Sequence, residues 1–277
     1  MIIFKDVQNY VREAVSDGSL TLHEAKLLFH HVTSKPLNPV DSPFITDTEF
    51  ADFKALSERR MNGEPIQYLL GKWPFLDFEV KVDRRALIPR PETELLAQLA
   101  AAEAKKHPGS IVADLCAGTG VISFAIERSA YPSLIKSVEI SSDACSLMDE
   151  NRTLLSSHIV IIQADAGKYL EEETDDSLDL VVSNPPYVSL SDYKENYNEL
   201  RFEPELAFLA EDNGLAFYKS LSPSIFRKLK PGGSVFYEIG DGQVNDVRSI
   251  LYESGFRKIF SYLDYQNIDR VISAQKD

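Results

Sequence analysis

From residue 110 onwards, segments with the apolar pattern of buried strands alternate with segments of helical periodicity. This alternation constrains the fold most, because strands separated by helices form parallel sheets covered by helices on both faces. The predicted strands are 111–115, 135–140, 159–163, 178–183, 234–238, 256–263 and 270–274. The predicted helices are 119–130, 142–155, 213–229 and 242–254. We therefore expect an α/β fold with a mostly parallel sheet, in which a Pro-Gly-Gly turn at 231–233 precedes the fifth strand.

The beginning of the chain has a different, helical pattern. Apolar residues recur there at helical spacing. The pairs Thr21/Glu24 and Thr46/Glu49 have the form of capping boxes, which mark helix N-termini. We predict a small all-helical domain over residues 1–72, a hairpin linker over 73–90 and a main domain over 91–277.

Composition excludes several classes of function. The formal net charge of −14 is a poor match to a phosphate backbone, although a local basic groove is still compatible with it. No apolar run approaches the ~20 residues needed to cross a bilayer, and the N-terminus has no signal-like pattern. Cys116 and Cys145 have neither disulfide nor metal-ligand spacing. We therefore expect a cytoplasmic protein without a metal site.

A rigid polar cluster follows the fourth predicted strand. It consists of Asn184, Pro185, Pro186 and Tyr187. The two prolines fix two φ angles and remove two backbone donors. The Asn184 amide offers a donor and an acceptor, and the Tyr187 ring can stack on a planar group. We interpret the cluster as a site for a planar group that carries an NH2, although a proline-rich turn after a strand would contain the same residues.

A loop of small residues follows the first predicted strand, where backbone can approach a ligand closely. It consists of Cys116, Ala117, Gly118, Thr119 and Gly120. The loop differs from the dinucleotide fingerprint Gly-x-Gly-x-x-Gly, because position 116 is Cys and position 123 is Ser. Together with Asp114 it is close to the form Asp-x-x-x-Gly-x-Gly that methyltransferases use.

Two acidic residues follow the next two strands. Glu139 lies where a carboxylate can accept both hydroxyls of a ribose, and Asp165 lies where an adenine amino group would need an acceptor. Glu139 could instead be a solvated carboxylate at a strand end, and Asp165 could be an ordinary turn aspartate. Open α/β sheets bind ligands at the carboxyl ends of their strands, so the four strand ends together predict a nucleoside site.

With these motifs in place, the chain resembles the HemK/PrmC family of peptide-chain release factor glutamine methyltransferases over nearly its whole length. The matching segments are 63–68, 88–94, 114–120, 184–187, 201–204, 213–215 and 264–270. Pro-Arg-Pro-Glu-Thr-Glu at 89–94 and Phe-Glu-Pro at 202–204 are more specific than Asn-Pro-Pro-Tyr, which DNA amino-methyltransferases share. The resemblance implies a class I, Rossmann-like methyltransferase domain that methylates the glutamine of the Gly-Gly-Gln motif of class I release factors.

The resemblance also implies site residues, carried over by position. S-adenosylmethionine would contact Cys116, Ala117, Gly118, Thr119, Gly120, Glu139, Asp165, Ala166 and Asn184. The substrate would contact Asn184, Pro185, Pro186, Tyr187, Arg90 and Glu203. For Glu203, contact with the substrate backbone, bracing of Arg201 and a structural ion pair all stay open. The chain departs from the family at Cys116 and Ala117 in the loop, at Ala166, where relatives often have an aromatic residue, and at Gln266, where they often have glycine.

The implied mechanism depends on position and electrostatics rather than on a base or a metal. The Asn184 oxygen and the Pro185 carbonyl would accept N–H bonds from the glutamine amide, and Tyr187 would stack on it. The N-terminal helices would dock the release factor, with no membrane or direct nucleic-acid partner. Alternatives are a ribosomal-protein glutamine methyltransferase, a nucleic-acid base amino-methyltransferase and a binding module without activity.

Overall fold

The computed structural model describes residues 2–38, 40 and 44–277. The chain folds as two compact units, Met1–Lys72 and Trp73–Asp277. Within the described residues, no helix combines the length and the apolar character needed to span a membrane.

The first unit is a group of helices with one short β ladder. Its helices are α1 (Phe4–Ser16), α2 (Leu22–Thr33), α3 (Asp47–Met61) and α4 (Ile66–Leu70), and its strands β1 (Ile2–Ile3) and β2 (Phe44–Ile45) pair antiparallel. Both predicted capping boxes are confirmed at the starts of α2 and α3. Phe29 and Phe53 are fully buried and meet edge to face in the core of this unit. The ladder adds a pair of two-residue strands to the predicted helices.

The second unit contains a seven-stranded sheet, a two-stranded sheet and eight α-helices in the part of the chain that the structure describes. Its strands are β3 (Lys72–Phe75), β4 (Phe78–Lys81), β5 (Ile111–Leu115), β6 (Leu134–Glu139), β7 (Val160–Gln163), β8 (Leu178–Ser183), β9 (Leu229–Glu238), β10 (Arg257–Leu263) and β11 (Asp269–Gln275). Its helices are α5 (Pro91–Lys105), α6 (Val121–Ala130), α7 (Ser142–Leu154), α8 (Ala166–Glu172), α9 (Leu190–Glu195), α10 (Tyr197–Leu200), α11 (Ala216–Lys228) and α12 (Val244–Glu253).

The large sheet has the order β10-β11-β9-β8-β5-β6-β7. Strands β5 to β9 are parallel, and β11 and β10 are antiparallel to their neighbours. The chain moves from β5 outward to β6 and β7, and then returns to the other side of β5 with β8. This reversal creates a switch point between β5 and β8, where open α/β sheets bind ligands.

The strand register brings the predicted motifs to one level at the switch point. Leu115 pairs with Ser183, so the loop after β5 begins beside Asn184. Ser183 also pairs with Tyr237 on β9, so Asn184 and Glu238 leave neighbouring strands side by side. The ends of β5, β8 and β9 therefore lie side by side at this edge of the sheet.

Several details of the second unit differ from the sequence prediction, which contains neither of the short helices α9 and α10. The fifth strand of the sheet begins at Leu229, because Pro-Gly-Gly at 231–233 forms a bulge within β9 instead of a turn before it. Helix α8 was not predicted, since it has only seven residues and contains Gly167. The predicted helix 213–229 begins at Ala216, because Asn213 has a left-handed φ of 52°.

Candidate active site

A cavity of about 270 Å³ lies at the carboxyl ends of β5, β6, β7 and β8. This volume is near the lower end of the range of small-molecule sites, about 300–1,000 Å³. The predicted site residues that line it are Arg90, Cys116, Ala117, Gly118, Thr119, Glu139, Asp165, Ala166, Asn184 and Pro186. The predicted residues that do not line it are Gly120, Pro185, Tyr187 and Glu203. The structure therefore brings most of the predicted set together around one space.

The loop after β5 is shaped by backbone conformations that only glycine adopts readily. Gly118 has a φ of 54° and Gly120 has a φ of 86°. A Cβ on Gly120 would lie 2.8 Å from the side chains of Met148 and Phe124, whereas a Cβ on Gly118 would meet no atom within 4 Å. Gly120 is therefore required for packing where α6 begins, and Gly118 leaves space on the cavity side.

Asp114 is hydrogen-bonded to Ser123 in the first turn of α6, just after this loop, and does not line the cavity. Its Oδ2 accepts hydrogen bonds from the Ser123 backbone N–H at 3.1 Å and from the Ser123 hydroxyl at 2.7 Å. Complete burial raises the pKa of Asp114 to about 7. Burial, and then the charges of Glu139, Asp114 and Asp165, also raise the pKa of the Cys116 thiol. Cys116 therefore lines the cavity as a neutral thiol.

Glu139 projects from the end of β6 and is 8% exposed. Its Oε2 accepts from the Gly118 backbone N–H at 2.9 Å, and its Oε1 accepts from the Ser141 backbone N–H at 2.9 Å. These two bonds fix the carboxylate at the cavity wall. A carboxylate offers about four acceptor positions, so acceptor capacity is left for hydroxyl groups of a ligand.

Asp165 lies at the end of β7 and caps helix α8. Its Oδ1 accepts from the Lys168 backbone N–H at 3.0 Å. Asp165 and the buried Ala166 both line the cavity. Asp165 can therefore cap α8 and still lie beside a ligand in the cavity, as predicted.

The end of β8 is held by a chain of side-chain hydrogen bonds. The Asn184 Nδ2 donates to the Thr93 Oγ1 at 3.2 Å, and the Thr93 hydroxyl donates to the Glu238 Oε2 at 2.7 Å. The Tyr187 hydroxyl donates to the other oxygen of Glu238 at 3.0 Å. Thr93 lies in the first turn of α5, and Glu238 is the last residue of β9.

The sequence prediction missed Thr93 and Glu238 as members of this site. Glu238 ends a strand of the same sheet, as Glu139 does, and Thr93 belongs to the Pro-Arg-Pro-Glu-Thr-Glu segment, so both carried a signal. Burial raises the pKa of Glu238 to about 7. The same burial, followed by the nearby Glu238 carboxylate, raises the pKa of Tyr187. Glu238 and the Tyr187 hydroxyl are therefore both buried, and they are hydrogen-bonded to each other without a ligand.

Glu203 fixes the segment that precedes α5. Its side chain is 1% exposed, forms an ion pair with Arg90 and accepts from the Ile88 backbone N–H at 2.9 Å. The Arg201 guanidinium lies over the Phe202 ring, 4.9 Å from its centroid. Of the three roles considered for Glu203, the structural ion pair is the one that these contacts favour, with Arg90 as the partner.

Two family models match the chain. The model described as Methyltransferase small domain matches residues 91–212, and the model described as PrmC N-terminal domain matches residues 18–71. The two matches fall in different compact units of the chain, one in Trp73–Asp277 and the other in Met1–Lys72.

Curated relatives match most of the chain. The release factor glutamine methyltransferase of Thermodesulfovibrio yellowstonii is 32% identical over 272 residues, which cover 96% of each chain. The protein of that name in Lactococcus lactis subsp. lactis is 35% identical and covers 83% of this chain and 84% of the relative. The one in Vibrio cholerae serotype O1 is 33% identical and covers 91% of this chain and 88% of the relative.

Solved structures share the fold at much lower identity. A methyltransferase from Pyrococcus furiosus is 14% identical with a TM-score of 0.52, covering 71% of this chain and 88% of that one. Precorrin-6y C5,15-methyltransferase from Geobacter metallireducens GS-15 is 12% identical with a TM-score of 0.50, covering 71% and 94%. Together with the sheet order, these similarities confirm the predicted class I methyltransferase fold.

Proposed function

Because this chain belongs to the family of release factor glutamine methyltransferases, we propose that it methylates the glutamine side-chain amide in the Gly-Gly-Gln motif of a class I release factor. The methyl donor that we propose is S-adenosylmethionine. The supporting observation is the position of Asn184, whose side chain lines the cavity beside the small-residue loop.

The cavity fits this cofactor in three respects. The space over Gly118 admits a ligand close to the backbone. Glu139 presents a fixed carboxylate with acceptor capacity for ribose hydroxyls, and Asp165 lines the same wall for an amino group. When bound, S-adenosylmethionine supplies a methyl group on a positively charged sulfur. Cys116 adds no competing nucleophile, because its raised pKa keeps the thiol protonated.

We assign the glutamine amide to the end of β8. The Asn184 Nδ2 is engaged by Thr93, so the Asn184 oxygen is the atom left to accept an N–H of the substrate. The Pro185 carbonyl would accept the other N–H, on a backbone that the two prolines make rigid. Positive charge would grow on the amide nitrogen as it takes the methyl group, while the methyl–sulfur bond breaks and leaves a neutral thioether. Both acceptors would bind the charged nitrogen more strongly, and one of its N–H protons would then leave to solvent. This difference in binding between ground state and transition state is the catalytic contribution.

Tyr187 would position the glutamine amide through its aromatic ring. Its hydroxyl donates to Glu238, and its partly buried ring packs against the core of the second unit. In the proposed complex this ring stacks on the plane of the glutamine amide, which keeps the amide nitrogen in line for transfer.

The first unit would recognise the protein substrate without performing chemistry. Its core is apolar, and a group of three or more potential metal ligands is absent from the described residues. A chain that begins at Trp73 should bind cofactor but methylate release factor with a much lower kcat/KM. An unchanged kcat/KM would exclude the docking role. Activity on release factors also implies that the protein works in the cytoplasm.

The alternatives have less support. The curated relatives described above are named for release factors and not for ribosomal proteins. The net charge of −14 is unfavourable for docking on a nucleic acid. Asn184 and Glu139, which both line the cavity, favour a catalytic protein over a module that only binds.

The proposed function is tested by mass spectrometry of a class I release factor incubated with this protein and S-adenosylmethionine. We expect the mass of one methyl group on the Gly-Gly-Gln peptide. A release factor with that glutamine replaced by alanine is the control and should stay unmodified. Methylation of the control, or none of the wild-type factor, would contradict the proposal.

A further inference from the structure

A buried carboxylate, that of Glu238, is joined to Asn184 through Thr93, which lines the cavity together with Asn184. Glu238 is 1% exposed, and Thr93, which joins it to Asn184, is 3% exposed. The two hydrogen bonds link residues 91 and 145 positions apart in the sequence, so they connect α5, the end of β8 and the end of β9. Burying a carboxylate is costly unless its hydrogen bonds are satisfied. Glu238 meets this condition through two hydroxyl donors, and packing alone does not explain why a carboxylate occupies this position.

The direction of the hydrogen bonds supplies that reason. An ionised carboxylate only accepts, so the single proton of the Thr93 hydroxyl points to Glu238. The Thr93 oxygen can then only accept, and Asn184 must turn its NH2 towards it. The Asn184 oxygen is left for another donor. One negative charge thus selects one of the two orientations of the Asn184 amide.

We propose that Thr93 and Glu238 are positioning residues that orient the Asn184 amide, so that it presents its oxygen to the amide of the substrate. This inference rests on the proposed function and assigns the orientation of its acceptor to two residues outside the Asn-Pro-Pro-Tyr motif. With the opposite orientation, two NH2 groups would face each other, and the acceptor that strengthens in the transition state would be lost.

The same carboxylate also fixes Tyr187. The two oxygens of Glu238 accept from two different hydroxyls, those of Thr93 and Tyr187. One buried group is therefore linked both to Asn184, through Thr93, and to Tyr187, the two residues proposed to hold the substrate amide.

Protonation of Glu238 should reverse this effect. Its surroundings consist of Thr93 and Glu92 on α5, Tyr187 after β8 and Arg270 on β11, while Tyr218 on α11 bonds its backbone oxygen. Burial dominates and places the pKa of Glu238 at about 7. Protonated Glu238 can donate to Thr93, which frees the Thr93 proton to turn towards Asn184. We therefore expect kcat to fall as pH decreases through about 7.

The first test compares Thr93→Val with Thr93→Ser. Valine matches the shape of threonine but lacks the hydroxyl, and serine keeps it. Thr93→Val should lower kcat for release factor methylation about 10- to 100-fold, as expected for a misplaced reacting group, with unchanged cofactor affinity by calorimetry. Thr93→Ser should retain most of the wild-type kcat. An equal kcat for wild type and Thr93→Val would overturn the inference, as would a parallel loss of cofactor affinity.

The second test reads the orientation without activity. The NH2 resonances of Asn184 are identified by NMR through their loss in Asn184→Asp. They should shift in Thr93→Val and stay in place in Thr93→Ser. If wild-type protein fails to methylate release factor, the proposed function is wrong, while this comparison still tests the inference. Identical Asn184 resonances in wild type and Thr93→Val would overturn it.

The third test uses Glu238→Gln, which keeps the size of the side chain and removes its titration. The wild-type kcat should decline below a pH of about 7, and the kcat of Glu238→Gln should vary little over the same interval. The same acid-side decline in both proteins would assign the titration to another group and overturn the role of Glu238.

Discussion

The two halves of the cavity are held in place in different ways. On the cofactor side, Glu139 is bonded to backbone N–H groups 21 and 2 residues away, and Asp165 to one 3 residues away. On the acceptor side, Asn184, Thr93 and Glu238 are joined across 91 and 145 residues. The Arg90–Glu203 pair spans 113 residues. The first half is largely built into single strand–loop–helix units, and the second forms only when distant elements have assembled.

This difference predicts where substitutions act. Changes on the cofactor side should alter cofactor affinity with little effect on the acceptor geometry. Changes on the acceptor side should alter turnover or the assembly of the unit. The four predictions that follow test this separation.

The largest effect is expected for Asn184→Ala. Removing the proposed acceptor should lower kcat by about 10²–10³, as the loss of one preorganised hydrogen-bonding group does in comparable sites. Cofactor affinity should weaken much less. Asn184→Asp keeps acceptors but loses the NH2 that bonds to Thr93, so it should be impaired to a smaller degree. Single-turnover methylation measures both variants, and near-wild-type turnover of Asn184→Ala would exclude the mechanism.

Removal of the Glu203 side chain should mainly affect stability. Glu203→Ala leaves the Ile88 N–H and the Arg90 guanidinium without this partner, at a cost of about 1.5–3 kcal/mol in the free energy of unfolding. Glu203→Gln keeps an acceptor for Ile88 and should cost less. Guanidinium denaturation measures the difference. Equal midpoints for the alanine variant and wild type would show that this long-range pair does not stabilise the acceptor side.

On the cofactor side, Glu139→Ala should weaken S-adenosylmethionine binding about tenfold or more, since hydrogen bonds to a charged group contribute roughly 1.5–3 kcal/mol. The fold should persist, although the Gly118 and Ser141 N–H groups lose this acceptor and some stability is lost with it. Calorimetry with the cofactor tests this directly. If affinity stayed at the wild-type value while kcat fell, the two halves of the site would not be separable as described.

The smallest effect is a difference between two glycines of one loop. Gly118→Ala and Gly120→Ala both place alanine at a positive φ, which costs about 1–2 kcal/mol. Gly120→Ala should be about 1 kcal/mol less stable than Gly118→Ala, because only its Cβ meets Met148 and Phe124. Gly118→Ala should instead reduce cofactor affinity. Thermal unfolding with and without S-adenosylmethionine separates the two results.

Most features of the fold that the sequence predicted correctly follow from local sequence patterns. The seven strands of the sheet were recognised because buried strands are short apolar runs, and their ends agree within a few residues except at β9. The capping boxes were recognised because both partners lie within four consecutive residues. Helix α8 was missed because seven residues with an internal glycine carry too little periodicity.

The sequence by itself determined the α/β class, the order of strands and helices, and the residues that follow each strand. These features depend on periodicity and on motifs that are local in the chain. Only the tertiary structure decided which strand ends are neighbours, that Glu203 pairs with Arg90, and that Glu238 and Thr93 hold Asn184 and Tyr187. Such contacts join residues far apart in sequence, and their hydrogen bonds become strong only when the assembled sheet and α5 exclude water from them. No local pattern encodes that condition.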